Sequence, residues 1–282
     1  MNMNLVLQGL DATTDTLLRI AALANPARVV HLGAHAVRCE EVAYSDILKA
    51  NIELAADGAC LDATFIAPGR TLADFKLVAM DMDSTLITIE CIDEIADMQG
   101  LKAQVSEITE AAMRGELDFS ESLKRRVALL EGLDAGALER VYQERLAISM
   151  GGEAMLAAVK AAGLKTLLVS GGFTFFTERL KTRLGLDYTH ANALEIIDGK
   201  LTGRVTGTIV DADEKRRTVE QVCAGMGIAP AQAIVMGDGA NDLKMMGVAG
   251  LSVAFRAKPV VRAQADVALN YCGLDGLLAI LG

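Results

Sequence analysis

Two clusters of carboxylates stand directly after short apolar runs of the chain. Asp81 and Asp83 follow the run 77–80, and the segment 237–242, which reads Gly-Asp-Gly-Ala-Asn-Asp, follows the run 233–236. Two carboxylates two residues apart repel each other unless a cation or a proton intervenes, so this spacing favours a metal site. The first cluster alone fits a turn that caps a helix equally well, and it is the second cluster that favours the metal.

The donor atoms of both clusters are oxygens, and this set suits Mg²⁺, which takes one or two carboxylates together with waters and substrate phosphate oxygens. The three histidines, His31, His35 and His190, lie outside the clusters. We therefore do not expect a histidine to act as general base, and we predict surface or hairpin positions for all three.

A third apolar run, 166–169, leads into Ser170-Gly171-Gly172. We expect the strand to stop at Ser170 and a helix to open there. Glycines let backbone N–H groups approach an anion and the serine hydroxyl adds a donor, so this turn can hold a phosphate, although an ordinary N-cap looks the same. Lys215 could supply the positive charge of such a site, or it could be one exposed lysine among several.

The elements that must position these residues follow from the same three runs. Near-continuous apolar runs are typical of strands buried on both faces, and their alternation with helices predicts a parallel sheet. Ligands of such sheets bind beyond the carboxyl ends of the strands. We therefore expect Asp81, Ser170 and Asp238 at one edge of the sheet. The segment 190–210 predicts a β-hairpin with an Asp198-Gly199 turn.

We predict three parts in the chain. Residues 1–70 show the order β-α-β-β-α-β of a small ferredoxin-like (ACT-like) α+β domain, which ends in a linker at 68–70. Residues 75–90 and 151–282 form a Rossmann-like α/β core with a parallel sheet. Residues 91–150 have helical spacing and form a cap insertion that could close over the site as a lid.

Composition excludes several classes of protein. The 282 residues include 27 Lys and Arg against 37 Asp and Glu, for a net charge of −10, and 52% are hydrophobic. Such a chain can bury enough surface to fold, and it has no basic run for nucleic acid. Five scattered cysteines without a CxxC pair indicate reduced, mostly buried thiols. With neither a secretory signal nor a spanning segment, we predict a soluble, cytoplasmic protein that does not bind membranes.

The motifs at 81–85, 169–173, Lys215 and 237–242 resemble, in this order, the four motifs of haloacid dehalogenase-type phosphatases. The match runs over about residues 75–272, and it is closest in pattern to the phosphoserine phosphatase family. The amino-terminal part resembles only loosely the ACT-like extension that bacterial members often carry.

The resemblance implies roles for the carboxylates. Asp81 would be the nucleophile that forms an aspartyl-phosphate. Asp83 would protonate the departing serine oxygen and then accept a proton from the hydrolytic water. Asp81, Asp83 through its backbone carbonyl, and Asp238 would ligate Mg²⁺, with support from Asn241 and Asp242.

It also implies a substrate site. Ser170, Gly171 and Lys215 would hold the phosphoryl oxygens. Glu90 would bind the ammonium group of the substrate and Arg126 its carboxylate. Two apolar residues of the cap, Met113 and Phe119, would cover the bound amino acid. A charged helix face would explain Arg126 equally well, and Glu90 could be a first-turn residue.

The activity implied is the hydrolysis of O-phospho-L-serine, a small-molecule substrate, to L-serine and phosphate, the last step of serine biosynthesis. Two alternatives stay open: a related phosphatase for another small phosphorylated metabolite, which would leave Glu90 and Arg126 unpaired, and an amino-acid-binding regulator with an inert phosphatase domain. An inert domain would lack the nucleophile, yet Asp81 and Asp83 are both present. Whether the chain forms a homodimer stays open as well.

Overall fold

The computed structural model describes residues 1–114 and 116–282, without the side chain of Met113. Its strands form a four-stranded sheet near the amino terminus and a seven-stranded sheet in the remainder of the chain. The fold class expected from the sequence is confirmed. In the described part of the chain, every helix is too short or too polar to cross a membrane.

The first sheet belongs to the predicted β-α-β-β-α-β unit. Its elements are β1 Asn2–Gln8, α1 Thr14–Leu23, β2 Arg28–His31, β3 Ala36–Ala43, α2 Asp46–Asp57 and β4 Asp62–Ile66. The strands are antiparallel in the order β2-β3-β1-β4. Both helices begin at a hydroxyl cap, since Thr13 accepts the N–H of Thr16 and Ser45 accepts the N–H of Leu48.

The second sheet carries the carboxylate clusters. In chain order the elements are β5 Leu77–Met80, α3 Cys91–Asp97, α4 Lys102–Met113, α5 Phe119–Ala128, α6 Gly136–Glu144, α7 Gly152–Ala161, β6 Lys165–Phe173, α8 Thr174–Leu184, β7 Tyr188–Ile197, β8 Lys200–Thr206, α9 Ala212–Gly225, β9 Ala233–Gly237, α10 Leu243–Met246, β10 Leu251–Phe255, α11 Pro259–Arg262, β11 Val267–Leu269 and α12 Gly276–Leu281. The sheet order is β11-β10-β9-β5-β6-β7-β8, with all neighbours parallel except the hairpin β7-β8.

The central strands are buried along their whole length, as the apolar runs predicted. The hairpin turn is confirmed too. Asp198 and Gly199 have φ values of 50° and 75°, the left-handed pair that a two-residue hairpin turn requires. Helices α3 to α6 lie inside the predicted helical insertion.

One expected boundary is wrong. The strand does not stop at Ser170, because β6 continues to Phe173 and α8 begins only at Thr174. The ladder between β6 and β7 shifts register between Val169 and Phe173, so the intervening residues bulge out of the pairing before it resumes opposite Asn192. The Ser-Gly-Gly segment is therefore a strand-end bulge and not the first turn of a helix.

The amino-terminal unit packs directly on the larger one. Val6 and Ile66 belong to the same buried cluster as Leu274, Leu277 and Ile280 around α12. Polar contacts reinforce this packing. Asp62 accepts the backbone N–H groups of residues 270–272 at 2.7–3.2 Å, and Gln8 Nε2 donates to the carbonyl of Gly276 at 3.0 Å.

Candidate active site

The two carboxylate clusters and the Ser170 bulge meet at one edge of the large sheet, as predicted. They do so because β9, β5 and β6 are adjacent parallel strands, and the polar residues lie at their carboxyl ends. A cavity of about 610 Å³ opens there, between the sheet edge and the helical insertion. Its lining includes Asp81, Asp83, Asp238, Glu90 and Arg126.

Lys215 lies at the base of this site, fully buried between two carboxylates. Its Nζ is 2.8 Å from Oδ1 of Asp81 and 2.8 Å from Oδ1 of Asp242. Burial alone lowers the pKa of Lys215, but Asp242 and Asp81 outweigh it and raise that pKa above its ordinary value. Lys215 is thus a fixed cation, and the alternative of an exposed lysine is wrong. It reaches the site from α9, which begins at the side-chain cap of Asp211.

Crowding of carboxylates in a buried place raises their pKa values. Burial and then Asp242 raise the pKa of Asp81 well above its usual range. Burial and then Glu90 raise the pKa of Asp83 to about 7, and burial and then Asp242 raise the pKa of Asp238 to about 6. A cation placed among these groups would relieve their repulsion.

Carboxylate oxygens of Asp81, Asp238 and Asp242 lie within 4.8 Å of one another, close enough to share a metal ion. Asp242 is already engaged at both oxygens, by Lys215 at Oδ1 and by the N–H groups of Asp238 and Gly239 at Oδ2, at 3.2 and 3.0 Å. Asp81 and Asp238 are therefore better placed to ligate the ion. The side chain of Asp83 is not part of this group of three carboxylates. The expected contribution of Asp83 to the metal site is its backbone carbonyl.

The Ser170 bulge is held open by a side chain that sequence reasoning missed. Asn192 of β7 donates from Nδ2 to the carbonyl of Gly171 at 2.7 Å and accepts the N–H of Val210 at 2.9 Å. Ser170 is buried, and its Oγ accepts the N–H of Gly172 at 2.9 Å. Asn192 carried no signal in the sequence, because it lies in a hairpin strand without a motif.

Two residues expected to select the substrate face the cavity from the side of the insertion. Glu90 precedes α3, and its Oε1 accepts the hydroxyl of Ser84 at 2.7 Å. Arg126 is half-buried on α5, where burial lowers its pKa and the nearby Asp93 and Glu90 oppose that shift. Both therefore place an ionisable group at the cavity wall.

Of the remaining residues expected in the site, two line the cavity and the side chain of one is not described. Phe119 and Asn241 line the cavity, and the ring of Phe119 lies close to Gly171, where an added Cβ would come within 2.9 Å of Cζ. Met113 is the last residue of α4, and its side chain lies outside the described residues. None of the three histidines lines the cavity in the described part of the chain.

Comparison with known proteins shows which family the chain belongs to. The family model for the haloacid dehalogenase-like hydrolases matches residues 78–247, which hold both carboxylate clusters, the Ser170 bulge and Lys215. A phosphoserine phosphatase from Polaromonas sp. is 58% identical over 219 residues, which is 76% of this chain and 93% of the relative. The chain belongs to the phosphoserine phosphatase family of haloacid dehalogenase-like hydrolases.

Solved structures of this family agree with the fold. A haloacid dehalogenase family hydrolase from Salmonella enterica serovar Typhi superposes with a TM-score of 0.91 at 33% identity, covering 99% of this chain and 98% of its own. A probable phosphoserine phosphatase from Vibrio cholerae superposes with a TM-score of 0.85 at 36% identity, covering 99% of this chain and 86% of its own. The protein is therefore a phosphatase, which counts against the alternative of an inert regulator.

Beside the residues expected from the family motifs, Asp93 and Lys258 also line the cavity. The backbone N–H of Lys258 donates to the carbonyl of Asp238 at 3.1 Å, which places this lysine beside the second carboxylate cluster. In the sequence, Lys258 stands before a proline in a polar turn and resembles an ordinary exposed lysine. Its position beside the cluster depends on the pairing of β10 with β9, which no local sequence pattern indicates.

Proposed function

We propose that this member of the phosphoserine phosphatase family hydrolyses O-phospho-L-serine to L-serine and phosphate, in a Mg²⁺-dependent reaction through an aspartyl-phosphate, as the last step of cytoplasmic serine biosynthesis. The observation that carries the proposal is that one cavity brings together groups for both parts of this substrate. Asp81, which Lys215 contacts, suits a phosphoryl group, and Glu90 and Arg126, which line the same cavity, suit an amino-acid head group.

The donor set fits Mg²⁺, because oxygens of Asp81, of Asp238 and of the Asp83 backbone would hold it without nitrogen or sulfur. When bound, the ion would neutralise charge on the phosphoryl oxygens and on the carboxylates around them. Burial and then the charge of Asp242 raise the pKa values of Asp81 and Asp238, and binding of the ion would offset this repulsion.

Asp81 is the proposed nucleophile. Its Oδ1 is held by Lys215 Nζ and by the N–H of Met82 at 2.7 Å, which fixes the carboxylate and leaves Oδ2 for attack on phosphorus. As the bond from Oδ2 to phosphorus forms, the bond from phosphorus to the serine oxygen breaks. Ser170, the backbone of Gly171 and Lys215 would stabilise the charge on the phosphoryl oxygens.

Asp83 is the proposed acid and base. Its pKa near 7 leaves part of the carboxyl population protonated at neutral pH, so that it can give a proton to the departing serine oxygen. In the second half-reaction, the resulting carboxylate would take a proton from the water that attacks the phosphorus. Asp81 then leaves phosphorus as a free carboxylate, and inorganic phosphate is released.

Substrate choice would come from Glu90 and Arg126, which line the same cavity. The carboxylate of Glu90 pairs with the substrate ammonium, and the planar guanidinium of Arg126 can make two hydrogen bonds to the substrate carboxylate. Phe119 and Met113 would cover the bound amino acid. In this scheme residues 91–150 act as the cap and residues 75–90 and 151–282 as the catalytic core, while residues 1–70 take no part in the chemistry.

The test is phosphate release from O-phospho-L-serine, O-phospho-L-threonine and an amino-acid-free phosphate ester, each with Mg²⁺ and with excess chelator. We expect a strong preference for phosphoserine that chelation abolishes and added Mg²⁺ restores. Asp81→Asn should remove turnover, since an amide cannot act as the nucleophile. Full activity in chelator, or in Asp81→Asn, would contradict the mechanism.

The neighbouring arginines provide a matched test of specificity. Arg126 faces the cavity, whereas Arg125 is exposed and pairs with Glu121 at 2.8 Å on the outer face of α5. Arg126→Ala should weaken phosphoserine turnover at least tenfold more than turnover of an ester without a carboxylate, which corresponds to about 1.4 kcal/mol. Arg125→Ala should change neither. Equal losses on both substrates would remove Arg126 from its proposed role.

A further inference from the structure

Ser84 has a backbone conformation that is unusual for its residue type. It lies between Asp83 and Thr85, in the turn 82–86 that follows the proposed nucleophile Asp81, and its φ and ψ are 55° and 3°. This left-handed region is unfavourable for residues that carry a Cβ, and glycine adopts it at lower cost. A strained residue at a functional site suggests that its side chain is used there.

The hydrogen bonds of Ser84 indicate which neighbouring residue its side chain acts on. Its Oγ donates to Oε1 of Glu90 at 2.7 Å, and its backbone N–H donates to the carbonyl of Ile89 at 3.2 Å. Both hydrogen bonds connect the turn 82–86, which we call the catalytic turn, to the segment that carries Glu90. In the described part of the chain, no other side chain donates a hydrogen bond to the Glu90 carboxylate.

We propose that Ser84 is a positioning residue for substrate selection, whose hydroxyl holds Oε1 of Glu90 so that Oε2 meets the ammonium group of the substrate. The inference rests on the proposed function, because it takes Glu90 as the ammonium-binding group. A carboxylate with one oxygen fixed loses its freedom to rotate, so less ordering remains to be done when the substrate binds. The left-handed backbone directs the hydroxyl toward Glu90.

The charge of Glu90 supports the same reading. Burial raises the pKa of Glu90, and the hydrogen bond from Ser84 is the largest of the effects that lower it. A donor to the ionised carboxylate favours the charged form that an ammonium group requires. Ser84 thus acts on both the direction and the charge of the group that it contacts.

The test replaces the serine with the residue that its backbone prefers. Ser84→Gly removes the hydroxyl and relieves the strain, so the fold should be retained and Tm should not fall. The readout is the ratio of kcat/KM for O-phospho-L-serine to that for 3-phosphooxypropionate, which lacks only the amino group. We expect this ratio to fall about tenfold, mainly through KM for phosphoserine, as for the loss of one charge-assisted hydrogen bond.

Asp198→Gly is the matched control, because Asp198 also has a positive φ, 50°, but lies in the exposed hairpin turn. It should leave the ratio unchanged. Glu90→Gln tests the premise, since it should lower the ratio by itself, and Ser84→Gly added to Glu90→Gln should lower it little further.

The outcomes separate the two claims. If Glu90→Gln lowers the ratio but Ser84→Gly does not, the positioning role is wrong while the proposed function stands. If Ser84→Gly lowers turnover of both substrates equally, Ser84 supports the catalytic turn as a whole and the inference is overturned. If Glu90→Gln leaves the ratio unchanged, Glu90 does not bind the ammonium group, and the proposed function and the inference fail together.

Discussion

Lys215 is the residue that decides the charge state of the site before any ligand arrives. It places one positive charge between the buried carboxylates of Asp81 and Asp242, each 2.8 Å away. Buried carboxylates without such a partner would take up protons rather than remain ionised. The lysine therefore favours the ionised form of these two carboxylates, and a cation would offset the negative charge that remains.

A glycine controls the position of the neighbouring carboxylate. A Cβ on Gly172 would lie 2.8 Å from Oδ2 of Asp83, so Gly172→Ala should displace that carboxylate and lower kcat at least tenfold, because a small misplacement of a proton donor is costly. Gly225→Ala is the control, since a Cβ there meets nothing within 4 Å. Phosphate release and thermal unfolding of both variants check this. Unchanged kcat in Gly172→Ala would show that Asp83 tolerates the shift.

The site was only partly predictable from single residues. Asp81, Asp238 and Ser170 could be placed together because the carboxyl ends of parallel strands share an edge. Ser84, Asn192 and Lys258 could not, because their roles depend on contacts with segments that no local pattern links to them. The burial of Lys215 was equally hidden, since its sequence neighbours are charged and typical of an exposed helix.

At the scale of elements, helix α5 joins the insertion to the catalytic edge. Asp118 caps this helix by accepting the N–H of Glu121 at 2.7 Å, and the first helical residue, Phe119, lies close to Gly171. Arg126 follows two turns later on the same helix and also faces the cavity. One helix thus carries both an apolar contact to the Ser170 bulge and the guanidinium that we propose for the head group.

This arrangement predicts the effect of shortening the aromatic side chain. Phe119→Ala should raise KM for O-phospho-L-serine about tenfold, because part of a Phe ring's burial is worth roughly 1.4 kcal/mol, and it should reduce kcat less. Arg125→Ala on the outer face of the same helix should leave both unchanged. Steady-state kinetics measure KM and kcat of both variants separately. A loss in kcat alone would mean that Phe119 orders the catalytic groups and does not cover the substrate.

At the scale of the whole molecule, the order of elements was predictable and the docking of the two sheets was not. Short apolar runs and helical patterns indicated the β-α-β-β-α-β unit, and near-continuous apolar runs indicated the later strands. The boundary at Ser170 was missed because a bulge has no period. The contact of Asp62 with residues 270–272 joins segments more than 200 residues apart, and no local pattern could reveal it.

Asp62 offers a test of that docking. Asp62→Ala would leave the N–H groups of Asn270, Tyr271 and Cys272 without their acceptor, and the free energy of unfolding should fall by about 2–4 kcal/mol. Asp57→Ala removes an exposed contact to the Tyr271 hydroxyl and should cost less than about 1 kcal/mol. Urea unfolding measures both. Equal small losses would show that apolar packing alone holds the two sheets together.

The contact between Gln8 and Gly276 also sets an order of events during synthesis, since the two residues are 268 positions apart. The first sheet can form while the ribosome is still building the chain, but the buried cluster that holds Val6 and Ile66 stays incomplete until the α12 residues emerge. Throughout translation of the catalytic strands, part of this apolar cluster is therefore exposed on the nascent chain, and chaperones bind such surfaces.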